Sequence, residues 1–285
     1  MHALPFLLAL VSAAILAPPV LNALFDGGRL RPNHRRHQLP HPFGILVLAA
    51  AALALVPLVL LERLASVHVF HPEVLPVALY ALGILALGLI DDTIGELGDR
   101  PGPDGRPLHR GLRRHGRALL RGELSTGVLK AVGSLGLALF AMSYLPLTNA
   151  RWLLAAGVLV LATHVFNLLD LRPGRSTKAL LILGLLLTVG SGTTRPLWTL
   201  GLLTGPALVA GLYDLRERAM LGDTGSNLLG ALAGLWIVLT LSGLGQLIAL
   251  ALLLMLTLYG ELRSISTLIE RTPGLRQLDS WGRPS

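Results

Sequence analysis

The chain contains no cysteine in its 285 residues. That excludes a disulfide framework, a thiol nucleophile and a thiolate metal site. Charge is also scarce, at 14% of residues, and aromatic side chains make up only 5%. A soluble domain of this length needs more charge to clothe its surface. Acidic groups are the rarer sign, 16 against 24 lysines and arginines, for a formal net charge of +8. In a soluble protein that excess would suggest nucleic acid; here no nucleic-acid role is expected. What the chain has instead is apolar sequence, 53% of residues with a mean hydropathy of +0.66. It comes in long runs, not in alternation or narrow stripes, which is the pattern of an integral membrane protein.

Nine apolar segments are predicted as helices, at 3–25, 43–61, 74–90, 123–145, 152–169, 178–192, 196–214, 225–242 and 245–262. Each is about as long as a bilayer crossing requires. Proline or glycine punctuates most junctions, among them Pro40, Pro72, Pro146, Pro173, Pro196 and Gly243. The first run has no basic residue before it, and Arg29 and Arg31 follow it. This reverses a secretory signal, so the segment is read as a retained first span with its amino end outside. Nine spans then leave the carboxyl end inside. On that topology the inside loops hold twenty of the 24 lysines and arginines, the bias expected of cytoplasmic loops. The expectation is a single all-helical, multi-pass domain over 1–285 in the plasma membrane. It carries a basic cytoplasmic loop at 93–121, with a short surface helix at 112–120, and a cytoplasmic tail at 263–285.

Carboxylates are costly near a bilayer, yet four acidic motifs fall at inner ends of apolar segments. Asp91-Asp92 closes the third. Adjacent carboxylates repel, so both stay ionised only beside a cation or basic groups; a solvated helix end is the plainer alternative. GDTGS at 222–226 opens the eighth. Its glycines permit close backbone approach, Thr224 or Ser226 can cap the helix, and Asp223 is free to bind Mg²⁺ while the amides meet phosphate oxygens. A plain turn with an N-cap is the alternative. Asn167 and Asp170 lie three apart on one helical face, with His164 one turn earlier and Arg172, Arg175 and Lys178 just after. That set suits a diphosphate cradle, or a basic loop obeying the charge bias. Asp214, in LYDLRER, is the fourth motif. Lys130 lies about two turns inside the fourth segment, where it must snorkel, pair or face a cavity. In the first loop, NHRRHQLPHPFG offers Asn33, His34, His37 and His41, better suited to head-group or phosphate contact than to a metal.

This ordered set resembles the polyprenyl-phosphate N-acetylhexosamine-1-phosphate transferase family. The resemblance runs from Asn33, Pro40 and Gly44 through LIDD, Lys130 and Asn-x-x-Asp to GDTGS, nearly the whole chain. It implies transfer of a sugar-1-phosphate from a nucleotide-activated sugar, usually UDP-linked, to a polyprenyl phosphate of the undecaprenyl kind. UMP would leave, in cell-envelope polysaccharide synthesis at the cytoplasmic face. Asp91, Asp92, Lys130 and Asp223 are implied as catalytic residues, with Asp92 and Asp223 as ligands of Mg²⁺, or of Mn²⁺ in its stead. Asn167, Asp170, Arg172, Arg175 and Asn33 are implied as substrate-binding. The implied partners are the lipid phosphate, the nucleotide sugar and the bilayer, with room for a homodimer.

The chain departs from the family's pattern in three places. Pro173 stands where the family continues to a second aspartate, RTPGLRQLDSWGRPS replaces a histidine-rich motif, and a tenth span is not found. Position alone suggests Arg172 and Arg175 as substitutes at the diphosphate, with Asp279 or Arg283 folding back over the site. Two other classes stand beside the enzyme: a catalytically silent relative that binds a lipid phosphate or partner, and a transporter. The transporter predicts charge at the membrane midplane, and no internal repeat of the kind many transporters carry is seen.

Overall fold

The computed structural model describes residues 1–95 and 126–284. The predicted surface helix at 112–120 and nearly all of the basic loop lie outside the described residues. Among those described, every predicted apolar segment is helical. They are α1 (Leu4–Asp26), α2 (Ile45–Leu64), α3 (Val74–Ile90), α4 (Thr126–Met142), α5 (Asn149–Leu169) and α6 (Arg175–Ser191). The seventh segment is two helices, α7 (Arg195–Thr199) and α8 (Gly201–Leu215), followed by α9 (Gly222–Thr240) and α10 (Gly243–Leu262). Among the described residues, five helices are long and apolar enough to cross a membrane: α1, α2, α5, α10, and α3 continued into the π-helical turn Asp91–Gly95 as far as Ile94. The chain is a multi-pass helical membrane protein.

Two elements depart from the expected plan. A small antiparallel hairpin, β1 (Leu30–Pro32) and β2 (Gln38–Pro40), occupies the first loop. The tail beyond α10 is also ordered, as α11 (Ile265–Arg271) and α12 (Pro273–Ser280).

Packing in the bundle follows the membrane rule that small residues face neighbouring helices and large ones face lipid. Along α1, Ala9, Ala13 and Ala17 are fully buried, while Leu7, Val11 and Ile15 are more than half exposed or close to it. The first stripe lies against α2 and α8. Helix α9 is the axis of the bundle, packed by α3, α5, α6 and α8, and every residue from Thr224 to Val238 is buried. Its glycines and alanines let those neighbours close in. Shielding from lipid on all sides also explains how it tolerates Asp223, Thr224, Ser226 and Asn227.

Candidate active site

The inner-end predictions converge on the start of α9. Three devices hold that start in place. The first is the loop before α2: Phe43 N–H donates to Met220 O at 2.8 Å, Gly44 N–H to Leu221 O at 3.0 Å, and Met220 N–H to Pro40 O at 2.9 Å. The amino-terminal loop is thus stitched to the residues just ahead of GDTGS. The second is Gly222, which turns the chain into α9 at φ +71°. A Cβ there would sit 2.6 Å from Asp92 Oδ2 and 2.7 Å from His41 Nε2, so no side chain fits.

The third device is Asp92. Its Oδ1 accepts the Asp223 N–H at 3.0 Å, and its Oδ2 accepts the Thr224 N–H at 2.8 Å and the Thr224 hydroxyl at 2.6 Å. His41 Nε2 lies 3.3 Å from Oδ1. The carboxylate caps α9 from another helix, filling the unpaired amides of its first turn and meeting the positive end of its dipole. Both oxygens are engaged by the protein's own donors.

Asp91 points elsewhere. Lys130 Nζ donates to Asp91 Oδ2 at 3.0 Å and also to Asp223 Oδ2. The anomalous lysine of α4 is therefore paired, and it bridges the end of α3 to the start of α9. Asn167, from α5, donates to Asp223 Oδ1 and to Asn227 Oδ1, each at 3.0 Å. One carboxylate, Asp223, thus receives a cation on one oxygen and an amide on the other. Its partners come from helices more than 50 positions away in sequence.

Asp170 caps the carboxyl end of α5 one turn beyond Asn167. It accepts from Ser176 Oγ at 3.3 Å. Burial, with the carboxylates of Asp214 and Asp223 nearby, pushes its carboxyl well above the usual carboxylate range. Asp214 accepts the Gly174 N–H at 2.7 Å and the Leu221 N–H at 3.4 Å, and so fastens the turn before α6 to the approach of α9. Asp170, Asp214 and Asn33 line a cavity of about 50 Å³ together with Arg172 and Pro173. Asn33 closes the hairpin by accepting the Arg35 and His37 amides, and it donates to Glu217 Oε2 at 2.9 Å.

The two arginines predicted for a diphosphate are held by the tail. Arg172 Nη2 reaches Glu270 Oε1 at 3.1 Å. Arg175 makes a fork to Asp279, Nε to Oδ1 at 2.9 Å and Nη2 to Oδ2 at 3.1 Å. Arg283 binds the same carboxylate and also donates to Pro173 O at 2.8 Å. The tail therefore folds back over this end of the bundle, as its position suggested. Burial alone would raise the Asp279 pKa; the hydrogen bonds from Arg175 and Arg283 outweigh it and hold the carboxyl down to about 2.

Sequence reasoning passed over His41 as the partner of Asp92, Asn227 as the second acceptor for Asn167, and Glu217 as the partner of Asn33. His41 and Asn227 gave a faint signal, as polar residues beside PFG and within an otherwise apolar helix. His164 stands apart, half-buried near Glu261 of α10 at 3.9 Å.

Fold and site together define a polytopic helical membrane protein whose acidic and basic groups gather at one end of the bundle. No family model matches the chain. It is 30% identical over 259 residues to the phospho-N-acetylmuramoyl-pentapeptide-transferase of Moorella thermoacetica, an alignment covering 83% of this chain and 74% of that protein. The chain belongs to the polyprenyl-phosphate sugar-phosphate transferase family.

Proposed function

We propose that the protein transfers a sugar-1-phosphate from a nucleotide-activated sugar to a polyprenyl phosphate at the cytoplasmic face, in cell-envelope synthesis. The observation that carries this reading is Asp223, held between Lys130 and Asn167 beside Asp91 at the mouth of α9. Phosphoryl transfer asks a protein mainly for alignment and neutralisation of phosphate charge. A lysine braced by two carboxylates supplies a fixed positive point, and a carboxylate fixed on both oxygens keeps its orientation as charge moves past it.

The donor set fits Mg²⁺ in part. It is all oxygen, as magnesium prefers, and Asp91 and Asp223 turn toward a common cation, the Lys130 ammonium. Among the described residues no cluster of three histidine, aspartate or glutamate side chains is built to hold a metal. That matches an ion held by one or two carboxylates plus substrate phosphates, not by a protein cage. Asp223 and Asp91 would hold it, and when bound it would offset charge on the phosphates. Asp92, its oxygens committed to α9 and His41, is assigned to positioning Asp223. Lys130 would steady the lipid phosphate, and Asn167 would keep Asp223 oriented. Asp170 and Asn33, with Arg172 beside them, would face the nucleotide sugar from the small cavity.

The test is an assay of the purified chain with Mg²⁺, a polyprenyl phosphate and a panel of radiolabelled nucleotide sugars. Lipid-linked sugar phosphate that vanishes with Asp223→Asn supports the reading. A second reading, a silent relative that only binds lipid phosphate, is favoured by the tail carboxylates seated on Arg172 and Arg175. No product from any donor, with lipid phosphate still bound, would establish it.

A further inference from the structure

The carboxyl-terminal tail is held to the bundle by charge and by little else. No residue of α12 is buried, and Ile265 is the one buried residue of α11. Leu275, Leu278 and Trp281 remain exposed. Against this loose apolar contact stands a dense polar clip. The Asp279 carboxylate receives forks from both Arg175 and Arg283, and Lys178 Nζ donates to Leu278 O at 3.0 Å and Asp279 O at 2.6 Å. Arg175 and Lys178 are themselves buried. Two guanidinium groups converge on the Asp279 carboxylate while the Lys178 ammonium sits on the carbonyl oxygens beside it, so the cluster holds more positive charge than its one carboxylate cancels. A cavity of about 400 Å³ opens beside it, lined by Arg172, Arg276 and Arg283 with Glu270, Asp279 and Ser280.

We propose that Asp279 is an internal stand-in for a phosphate, and that the tail is a latch which a phosphate-bearing ligand releases. Two planar forks and a lysine are the donors that a phosphate or diphosphate takes in bidentate fashion, and such a group brings more charge and more acceptors than a carboxylate. A ligand entering through the arginine-lined cavity competes with Asp279 for Arg175, Lys178 and Arg283. Once that clip opens, the contacts left to the tail among the described residues are the Arg172–Glu270 pair, the Arg35 contact to Pro284, single hydrogen bonds from Arg283 to Pro173 O and from Arg175 to Ser266, and thin apolar contact. The nucleotide sugar as natural ligand rests on the transferase reading; the anion site and its latch do not.

The native chain lacks cysteine, so Gly274→Cys places a single spin label on α12 at a position where a Cβ meets nothing within 4 Å. The full chain in lipid nanodiscs is titrated with inorganic pyrophosphate, against sodium chloride at equal ionic strength. The latch predicts a slow label that becomes fast with saturable dependence on pyrophosphate and little response to chloride. Asp279→Asn should give a fast label from the outset and bind pyrophosphate about tenfold more tightly. Arg283→Gln, which leaves Arg175 in place, should loosen the label in the same direction. A label that ignores saturating pyrophosphate, that follows chloride equally, or that stays slow in Asp279→Asn overturns the latch. Pyrophosphate release in a protein that transfers no sugar phosphate would keep the latch and sink the transferase reading.

Discussion

At the scale of single residues, the adjacent pair Asp91-Asp92 divides its labour. Asp91 meets Lys130, while Asp92 turns the other way and caps α9. The division predicts opposite phenotypes. Asp92→Asn replaces a carboxylate taking three hydrogen bonds and a histidine contact with an amide that can accept on one atom only. It should cost about 1–3 kcal/mol of stability, read as a fall in the thermal midpoint of the purified protein. Asp223→Asn keeps the backbone amide that Asp92 grips, so its midpoint should stay near wild type while transfer is lost. Lys130→Met leaves Asp91 and Asp223 without their shared cation. Removing a fixed charge of this kind from a transferring phosphate should slow turnover by about 10²–10³-fold, measured as initial rate at saturating lipid phosphate. If Lys130→Met retains most of the rate, the proposed steadying of phosphate by the ammonium is wrong.

At the scale of elements, the hairpin, the turn into α9 and the tail act as braces on one site. Gly222→Ala puts a Cβ against Asp92 and His41 in a backbone conformation that side chains resist. It should lower the thermal midpoint and transfer together, a joint loss that separates it from Asp223→Asn. The tail has its own pH signature. The folded-state pKa of Asp279 is depressed to about 2, below an unfolded value of about 3.9. Its contribution to docking is therefore complete above the unfolded value and is lost as pH falls through the folded one. The label on α12 should stay slow from neutral pH to about 4 and loosen toward about 2. Loosening already between pH 7 and 5 would mean that another group carries the clip.

These elements show unequally in the sequence. The helices of the bundle are legible because burial in lipid demands unbroken apolar length, which local sequence states directly. Asp91, Lys130, Asn167 and Asp223 could be singled out because polar groups stand out against such runs. The stitching of residues 40–44 to 220–221 left no mark, since backbone hydrogen bonds are blind to side-chain type. His41 was hidden for a related reason: its partner lies 51 positions on, and three neighbouring histidines looked equivalent until the hairpin aimed one of them. The clip on Arg175 was foreshadowed only by the position of Asp279 and Arg283 in the tail.

At the scale of the whole molecule, the charge bias predicts that the site faces the cytoplasm. Two single-cysteine variants test this in intact cells with a membrane-impermeant maleimide. Thr193→Cys, in the exposed turn between α6 and α7, should react at once, and Gly274→Cys only after permeabilisation. The reverse pattern would place the site outside and remove cytoplasmic nucleotide sugars from the argument.

The central position of α9 bears on how the protein is made. A segment carrying Asp223, Thr224, Ser226 and Asn227 in its first turns partitions poorly into lipid by itself, and the folded chain never asks it to, since neighbouring helices surround it. Its entry into the bilayer during synthesis must lean on companions already delivered by the ribosome: α3, α5, α6 and α8 all precede it. Shortening the chain before α8, or delaying α5, should therefore leave α9 stranded at the translocon or in the cytosol, where quality-control proteases would meet it first.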